Sequence, residues 1–291
     1  MKISGFTIVK NAVRYDFPVV EAIRSILPIC DEVIVLIGDG DDDTENLIRS
    51  IDSPKVKIRH SVWNENLRKG GEVLADETNK AFALIDSEAD WAFYIQADEV
   101  IHEKYLPEIK QEMQNYLHAP EVEGLLFNYK HFYGSYAYVG NSRRWYRREI
   151  RIVRNLPQIR SYKDAQGFRI DNRKLKVRYI APYVYHYGWV KDPILQSEKI
   201  ANSSRYWKSD SWITQHLSKE KPYNYLENID TLELFTETHP QVMQARVNRQ
   251  DWYFDFEPSM IRLSLKERLS RWSEKWFHWR PGEYRNYEIV A

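Results

Sequence analysis

Asp90-Trp91-Ala92-Phe93-Tyr94-Ile95-Gln96-Ala97-Asp98-Glu99-Val100-Ile101-His102 holds a short apolar run that ends abruptly in two adjacent carboxylates. The run is rich in aromatics and does not alternate with polar residues, so it reads as a buried strand of a parallel sheet. Carboxylates at its carboxyl end would sit where open α/β sheets bind ligands. Taken alone, Asp98 and Glu99 are explained equally well as the acidic start of the next helix.

The residues before this run repeat a strand–helix alternation. Gly5 to Val9 is an apolar strand ending at Lys10-Asn11. Asp16-Phe17-Pro18 opens a helix with proline in a tolerated first-turn position, and Val19, Ile23, Ile26 and Leu27 share one face of it. Glu32 to Ile37 is a second strand, followed by the turn Gly38-Asp39-Gly40-Asp41-Asp42-Asp43-Thr44 and a short amphipathic helix through Leu47, Ile48 and Ile51. Val56 to His60 is a weaker third strand. Lys69-Gly70-Gly71 precedes a helix with Leu74, Thr78, Ala81, Phe82 and Ile85 on one face. Such alternation predicts an α/β fold with a mostly parallel sheet and right-handed crossovers.

After residue 120 the pattern changes. Gly124 to Tyr129 is a strand, Arg143 to Arg154 is dense in arginine and aromatics, and Lys163 to Arg169 is a loop. Leu175 to Ile180 alternates like an exposed strand, Tyr183 to Trp189 follows, and Asp192-Pro193 starts a helix by cap-then-proline logic. From about residue 210 the chain is polar and rich in tryptophan. The expected division is 1–120, 121–192 and a helical, aromatic-rich region at 193–291.

Composition excludes several classes. Basic and acidic residues both number 42, which leaves no basic footprint for nucleic acid. The single cysteine, Cys30, permits neither an intrachain disulfide nor a cysteine zinc site, and reads as a small buried hydrophobe. No run reaches the length of a membrane span, and Met1 to Phe6 lack a signal peptide's apolar core, so the expected location is cytoplasmic.

The acidic turn has the alternate spacing of a calcium loop, but Thr44 stands at the sixth position and Ser50 at the twelfth, which excludes an EF-hand. Its remaining readings are helix capping and ligand contact. Lys69-Gly70-Gly71 is not a Walker loop; the glycines allow a close backbone approach, and ordinary turn chemistry explains them as well. Asp98 and His186 together could hold a hard divalent cation, since Mn²⁺ accepts both carboxylate and imidazole. The arginine-rich stretch suits a diphosphate, an acidic acceptor or a solvated face.

The order of these motifs, with Asn79 on the Gly-Gly helix and Gln96-Ala97-Asp98-Glu99 after the fourth strand, resembles the nucleotide-binding half of the GT-A glycosyltransferases. It is most similar to the family 2 inverting enzymes, in a bacterial subgroup with a Gln-Ala-Asp-Glu version of the Asp-x-Asp motif, and the resemblance covers roughly residues 1–190. There are departures. Ala12 stands where the family often has Glu, Ile37 falls on the first acidic position of the turn, Gly40 replaces Ser, and Gln96 replaces the first Asp.

The resemblance implies a Rossmann-like GT-A sheet with helices on both faces. It implies sugar transfer from a nucleotide diphosphate sugar, UDP-linked by preference, to a hydroxyl on a saccharide or lipid-linked acceptor in bacterial surface polysaccharide or glycolipid synthesis. Val9, Asn11, Asp39, Asp42, Lys69, Gly70, Asn79, Gln96 and Ala97 would then bind the donor. Asp98 and His186 would hold Mn²⁺ or Mg²⁺. A base from the second half is required, with Asp164 the first choice and Glu149 the second; an aspartate of pKa about 3.9 is ionised at neutral pH without tuning. Asp164 can equally tie down its own loop.

Leu265, Leu269, Trp272, Trp276 and Trp279 recur at helical spacing among Lys266, Arg268, Arg271 and Lys275. The stretch 261–280 reads either as an interfacial helix at the inner face of a membrane or as a helix packed on the chain's own core. Competing functions are a sugar nucleotidyltransferase, whose Gly-rich phosphate loop Val9 to Arg14 does not supply, and a non-catalytic carbohydrate-binding protein.

Overall fold

The computed structural model describes residues 1–217, 221–227, 229, 231–257, 268, 269, 272, 274, 276, 280 and 283–290. In chain order the first half contains β1 (Ile3–Val9), α1 (Val19–Ile26), β2 (Glu32–Ile37), α2 (Thr44–Arg49), β3 (Val56–His60), α3 (Glu72–Phe82), β4 (Trp91–Tyr94), β5 (Glu99–Ile101) and α4 (Leu106–Asn115). The second half adds β6 (Gly124–Tyr133), β7 (Ser135–Gly140), β8 (Arg148–Arg154), β9 (Ile159–Tyr162), β10 (Gly167–Ile170), β11 (Arg173–Trp189), α5 (Pro193–Ser203), α6 (Asp210–His216), β12 (Leu232–Leu234), α7 (Gln244–Asn248) and β13 (Tyr287–Ile289).

One sheet runs β3-β2-β1-β4-β8-β6-β11-β10-β9. Along this path only β8 and β10 oppose the common strand direction, so the sheet is mostly parallel in sense. β1 and β4 are buried at every residue, as strands covered on both faces are. Trp91, Phe93 and Ile95 point into the core beneath α1 and α4, whereas Ala92 and Tyr94 point into the core beneath α3. Val19, Ala22, Ile23 and Ile26 of α1 are buried, with Pro18 as the cap residue just before the helix.

Two local readings change. Glu99 does not open a helix: it begins β5, which pairs antiparallel with β11, and α4 starts only at Leu106. The stretches 175–180 and 183–189 are one strand, β11, in which every second residue from Leu175 to Val177 is buried. Its register against β6 slips between Tyr179 and Tyr183, around Pro182, which has no N–H to give to the ladder. Asn128 on β6 covers the slip by donating to the Ala181 carbonyl at 2.9 Å.

Residues beyond 193 return to this body. Besides α5, α6 and α7 they supply β12, paired with β7, and β13, paired with β11. Arg246 on α7 pairs with Asp16 and Glu21 at 2.7 Å each, tying the carboxyl region to the first crossover. Among the described residues no helix is long and apolar enough to cross a membrane. Of the expected 261–280 helix, Leu265, Lys266, Arg271, Lys275 and Trp279 lie outside the described residues, while the side chains of Leu269, Trp272 and Trp276 are exposed.

Candidate functional site

The parallel strands β1, β2 and β4 end at one edge of the sheet, and a cleft of 540 Å³ opens there. Val9, Gln96, Ala97, Asp98, His186 and Asp164 line it. Its centre is built by one strand pairing. The chain leaves β4, turns through 95–98, and β5 sets Glu99 opposite His186 on β11. The Asp98 carbonyl accepts the Tyr187 N–H at 2.8 Å, which fixes Asp98 beside the end of β11.

The Asp98 carboxylate faces His186 Nε2 at 3.7 Å and Lys199 Nζ at 3.3 Å. Burial alone would raise its pKa, but the charges of Lys199, of His186 in its protonated form and of Lys191 outweigh that and hold it at about 2. Lys199 projects from α5, whose start is fixed by Pro193 and by the Asp192 side chain accepting from Ile194 N and Leu195 N. It also donates to the Gly188 carbonyl at 2.8 Å.

The imidazoles carry a defined proton order. The Tyr146 carbonyl can only accept, so His131 Nε2, 2.9 Å away, holds a hydrogen. Burial depresses the His131 pKa strongly, so its Nδ1 is a bare acceptor. His186 Nδ1 lies 3.2 Å from it and therefore donates. Burial also lowers the pKa of His186, and its neutral form then presents a bare Nε2 toward Asp98. These proton positions are assigned from the partners.

Glycine 188 keeps the space between the two groups clear. A Cβ there would lie 2.6 Å from Asp98 Oδ2 and 2.8 Å from His186 Nε2. A carboxylate oxygen, a bare imidazole nitrogen and a cleared cradle fit a divalent cation that accepts mixed oxygen and nitrogen donors. Among the described residues no third histidine, cysteine or acid completes a protein-only site. The remaining positions would therefore fall to ligand oxygens and water.

Glu99 is structural. Fully buried, it takes Arg151 Nε and Nη2 at 2.7 Å each, the Tyr129 hydroxyl at 2.8 Å and the Gln96 N–H at 3.1 Å. Arg151 Nη1 also donates to the Gln166 carbonyl at 2.9 Å, so this pair braces both the 96–98 turn and the Asp164 loop. Gln96 reaches the Ala165 carbonyl at 3.3 Å.

Several residues expected at the donor lie elsewhere or already have partners. Asn11 and Asp39 line an adjoining cavity of 420 Å³, which shares Lys10, Trp63 and Tyr206 with the cleft. Asp39 Oδ1 accepts from Lys10 Nζ and Trp63 N at 3.0 Å each. Asp42 ties the turn together, accepting from Thr44 N at 3.1 Å and Arg14 N at 2.8 Å. Asn79 bonds the Ser161 N–H and carbonyl, fastening α3 to β9. Lys69 and Gly70 are exposed and away from the cleft wall. Gly71 has φ +76°, and a Cβ there would lie 2.6 Å from Asp164 Cβ, so that glycine seats the Asp164 loop. Glu149 lines a separate cavity, where burial raises its pKa to about 8 and keeps it protonated at neutral pH.

The sequence did not mark Lys199 or His131 as site residues; a lysine one and a half turns into a helix carries no local mark. Gly188, two residues after His186, had no role of its own from the residues alone.

No family model matches the chain, and no curated protein matches it. Among solved structures, the chain is similar to TarS of S. aureus at a TM-score of 0.41 and 13% identity, over 70% of this chain and 39% of that one. A 1–349 form of TarS in complex with UDP gives 0.40 and 14%, over 74% and 69%. Glucosyl-3-phosphoglycerate synthase from Mycobacterium tuberculosis, in complex with Mn²⁺, UDP and phosphoglyceric acid, gives 0.30 and 22%, over 45% and 43%. The chain thus spans well under half of full-length TarS, and each likeness is partial in identity and extent.

Proposed function

We propose that this chain is a glycosyltransferase that moves a sugar from a UDP-sugar to an acceptor hydroxyl with inversion. The observation that carries the reading is the Asp98–His186 cradle cleared by Gly188, set in the cleft at the carboxyl ends of the parallel strands. In this reading the diphosphate would bind at the cradle, and Asp98 and His186 would hold Mn²⁺ or Mg²⁺. When bound, that ion neutralises charge on the diphosphate oxygens.

The rest of the chemistry belongs to the chain. The acceptor oxygen attacks the anomeric carbon from the face opposite the leaving group, and its proton passes to the Asp164 carboxylate. The bond from the anomeric carbon to the diphosphate oxygen breaks, and UDP leaves with the electron pair. Lys199, already fixed between Asp98 and the Gly188 carbonyl, supplies a preorganised positive charge for that oxygen. Asp164 is the base of choice because Glu149 is protonated at neutral pH.

The adjoining cavity with Lys10, Asn11, Asp39 and Trp63 would take the nucleoside, with Val9, Gln96 and Ala97 along the floor between. The acceptor would be a saccharide or lipid-linked saccharide of bacterial surface-polymer synthesis. The exposed Leu269, Trp272 and Trp276 support a peripheral contact at the cytoplasmic membrane face. Flotation of the full chain with anionic liposomes, lost when these three are changed to serine, tests that part.

A melting-temperature panel tests the donor reading. UDP with Mn²⁺ should raise the melting temperature more than UDP alone, ADP or GDP, and Asp98→Asn should remove the Mn²⁺ increment. A chain indifferent to every nucleotide would be a carbohydrate-binding protein or another enzyme.

A further inference from the structure

Helix α5 lays one face along the main cleft. Gln196, Lys199, Ile200 and Ser203 all line it, and they recur at the i, i+3, i+4 and i+7 spacing of a single helical stripe. Two of the three polar members are already engaged within the fold. Lys199 Nζ bonds Asp98 Oδ2 at 3.3 Å and the Gly188 carbonyl at 2.8 Å, and the Ser203 hydroxyl donates to the Ile200 carbonyl at 3.3 Å.

Gln196 differs from both. It is 1% exposed, and its Oε1 is buried with no hydrogen-bond partner among the described residues. Its backbone N–H is taken up by the Asp192 carbonyl at 2.9 Å, in the first turn of the helix. Nothing local asks for a glutamine at this position. Leucine and methionine have much the same helix propensity, and either could be buried without leaving a hydrogen bond unmade. A side-chain carbonyl held out of water in the wall of a ligand cleft is completed by a hydrogen from the ligand. Such a group also rejects analogues that lack the hydrogen.

The place of Gln196 on the helix says which hydrogen that is. Gln196 and Lys199 are neighbours on the stripe, one turn apart, with about 5–6 Å between their Cβ atoms. Lys199 marks the diphosphate end of the cleft through its contact with Asp98. The anomeric carbon carries the diphosphate, and its neighbours on the sugar ring are the ring oxygen and carbon 2. The ring oxygen has no hydrogen to give, so the substituent on carbon 2 is the nearest donor on the ring.

We infer that Gln196 Oε1 accepts a hydrogen bond from the carbon-2 substituent of the donor sugar, either a hydroxyl or an acetamido N–H. Gln196 then sets donor specificity and takes no part in bond breaking. This deepens the transferase reading and rests on a UDP-sugar occupying the main cleft.

Calorimetric titration of the full chain in the presence of Mn²⁺ tests it, with UDP, UDP-glucose, UDP-N-acetylglucosamine and UDP-2-deoxyglucose as probes. UDP-2-deoxyglucose should bind about tenfold more weakly than the better of the other two sugar nucleotides, the size of one hydrogen bond. Which of those two binds better tells a hydroxyl partner from an acetamido one. Gln196→Met should erase the difference and leave UDP affinity unchanged. Without ligand it should melt no lower than the wild type, because no bond within the fold is lost. Gln196→Ala should erase the difference as well, even if methionine disturbs the packing of α5. Equal binding of the three sugar nucleotides, or a carbon-2 preference that survives both changes, would overturn the inference. So would a loss of UDP affinity as large as the loss for the sugar nucleotides, because Gln196 would then act on the cleft and not on the sugar. UDP binding without a carbon-2 preference sinks the role of Gln196 alone, whereas a chain that binds no UDP sinks the donor reading and the inference with it.

Discussion

Replacing Glu99 by glutamine removes the only charge partner, among the described residues, of a completely buried guanidinium. Arg151 and Glu99 are both inaccessible to solvent, joined by two bonds of 2.7 Å. Glutamine keeps one acceptor oxygen but leaves the Arg151 charge uncompensated, and breaking such a pair costs about 3–5 kcal/mol. The Tyr129 hydroxyl and the Gln96 N–H lose part of their acceptor in the same step. Removing both charges is milder. In Glu99→Leu with Arg151→Met no ion stays stranded, although the Ile150 and Gln166 carbonyls lose their Arg151 donor at about 1 kcal/mol each. The single changes should therefore be strongly non-additive, with a coupling of about 2 kcal/mol or more. Urea unfolding followed by tryptophan fluorescence at neutral pH measures all four proteins. A cost below about 1 kcal/mol for Glu99→Gln, or single changes that simply add, would refute the bracing role. The same variant should also lose UDP-dependent stabilisation, because the pair holds the 96–98 turn and the Asp164 loop.

Other outcomes follow from the same geometry. Gly188→Ala places a methyl 2.6 Å from Asp98 Oδ2, so the Mn²⁺ increment in melting temperature should vanish, as titration with and without UDP will read. His131→Phe removes the acceptor that orients His186, and should weaken Mn²⁺ binding by about 10–100-fold by calorimetry while Asp98 stays in place. Glu149 holds its proton in the folded state from its ordinary 4.5 up to about 8, whereas the unfolded chain releases it near 4.5. Folding stability should therefore fall as pH rises through that window, and Glu149→Gln should gain on the wild type between pH 5 and pH 8 in urea titrations.

The strand–helix order, the two-sided burial of β4 and the position of Asp98 at its carboxyl end were all readable from the residues. Each depends on local periodicity, and apolar runs and helical faces recur at spacings set by the backbone itself. The burial of Cys30 follows in the same manner, since a small apolar residue between a helix and a strand has nowhere else to go. The acidic turn was readable as a turn, but its division of labour was not. Asp39 ended on Lys10 and Trp63, Asp42 on Thr44 and Arg14, and no spacing distinguishes the two.

The Asp98–Glu99 ambiguity was settled by partners far away in the chain. Glu99 is structural because Arg151 lies opposite it, and Asp98 faces the cleft because β5 pairs with β11. His131 stands beside His186 because β6 and β11 align those two positions, 55 residues apart. A slip of one residue in that register would turn one ring to the other face of the sheet. Gly188 and Lys199 enter the site by the same route, one at the end of β11 and the other on the helix that follows it. The sequence by itself determined which elements form and which carboxylate ends the fourth strand, because those follow from neighbours a few residues apart. Only the tertiary structure decided what that carboxylate meets, because strand register and helix docking are properties of residues that the chain brings together from a distance.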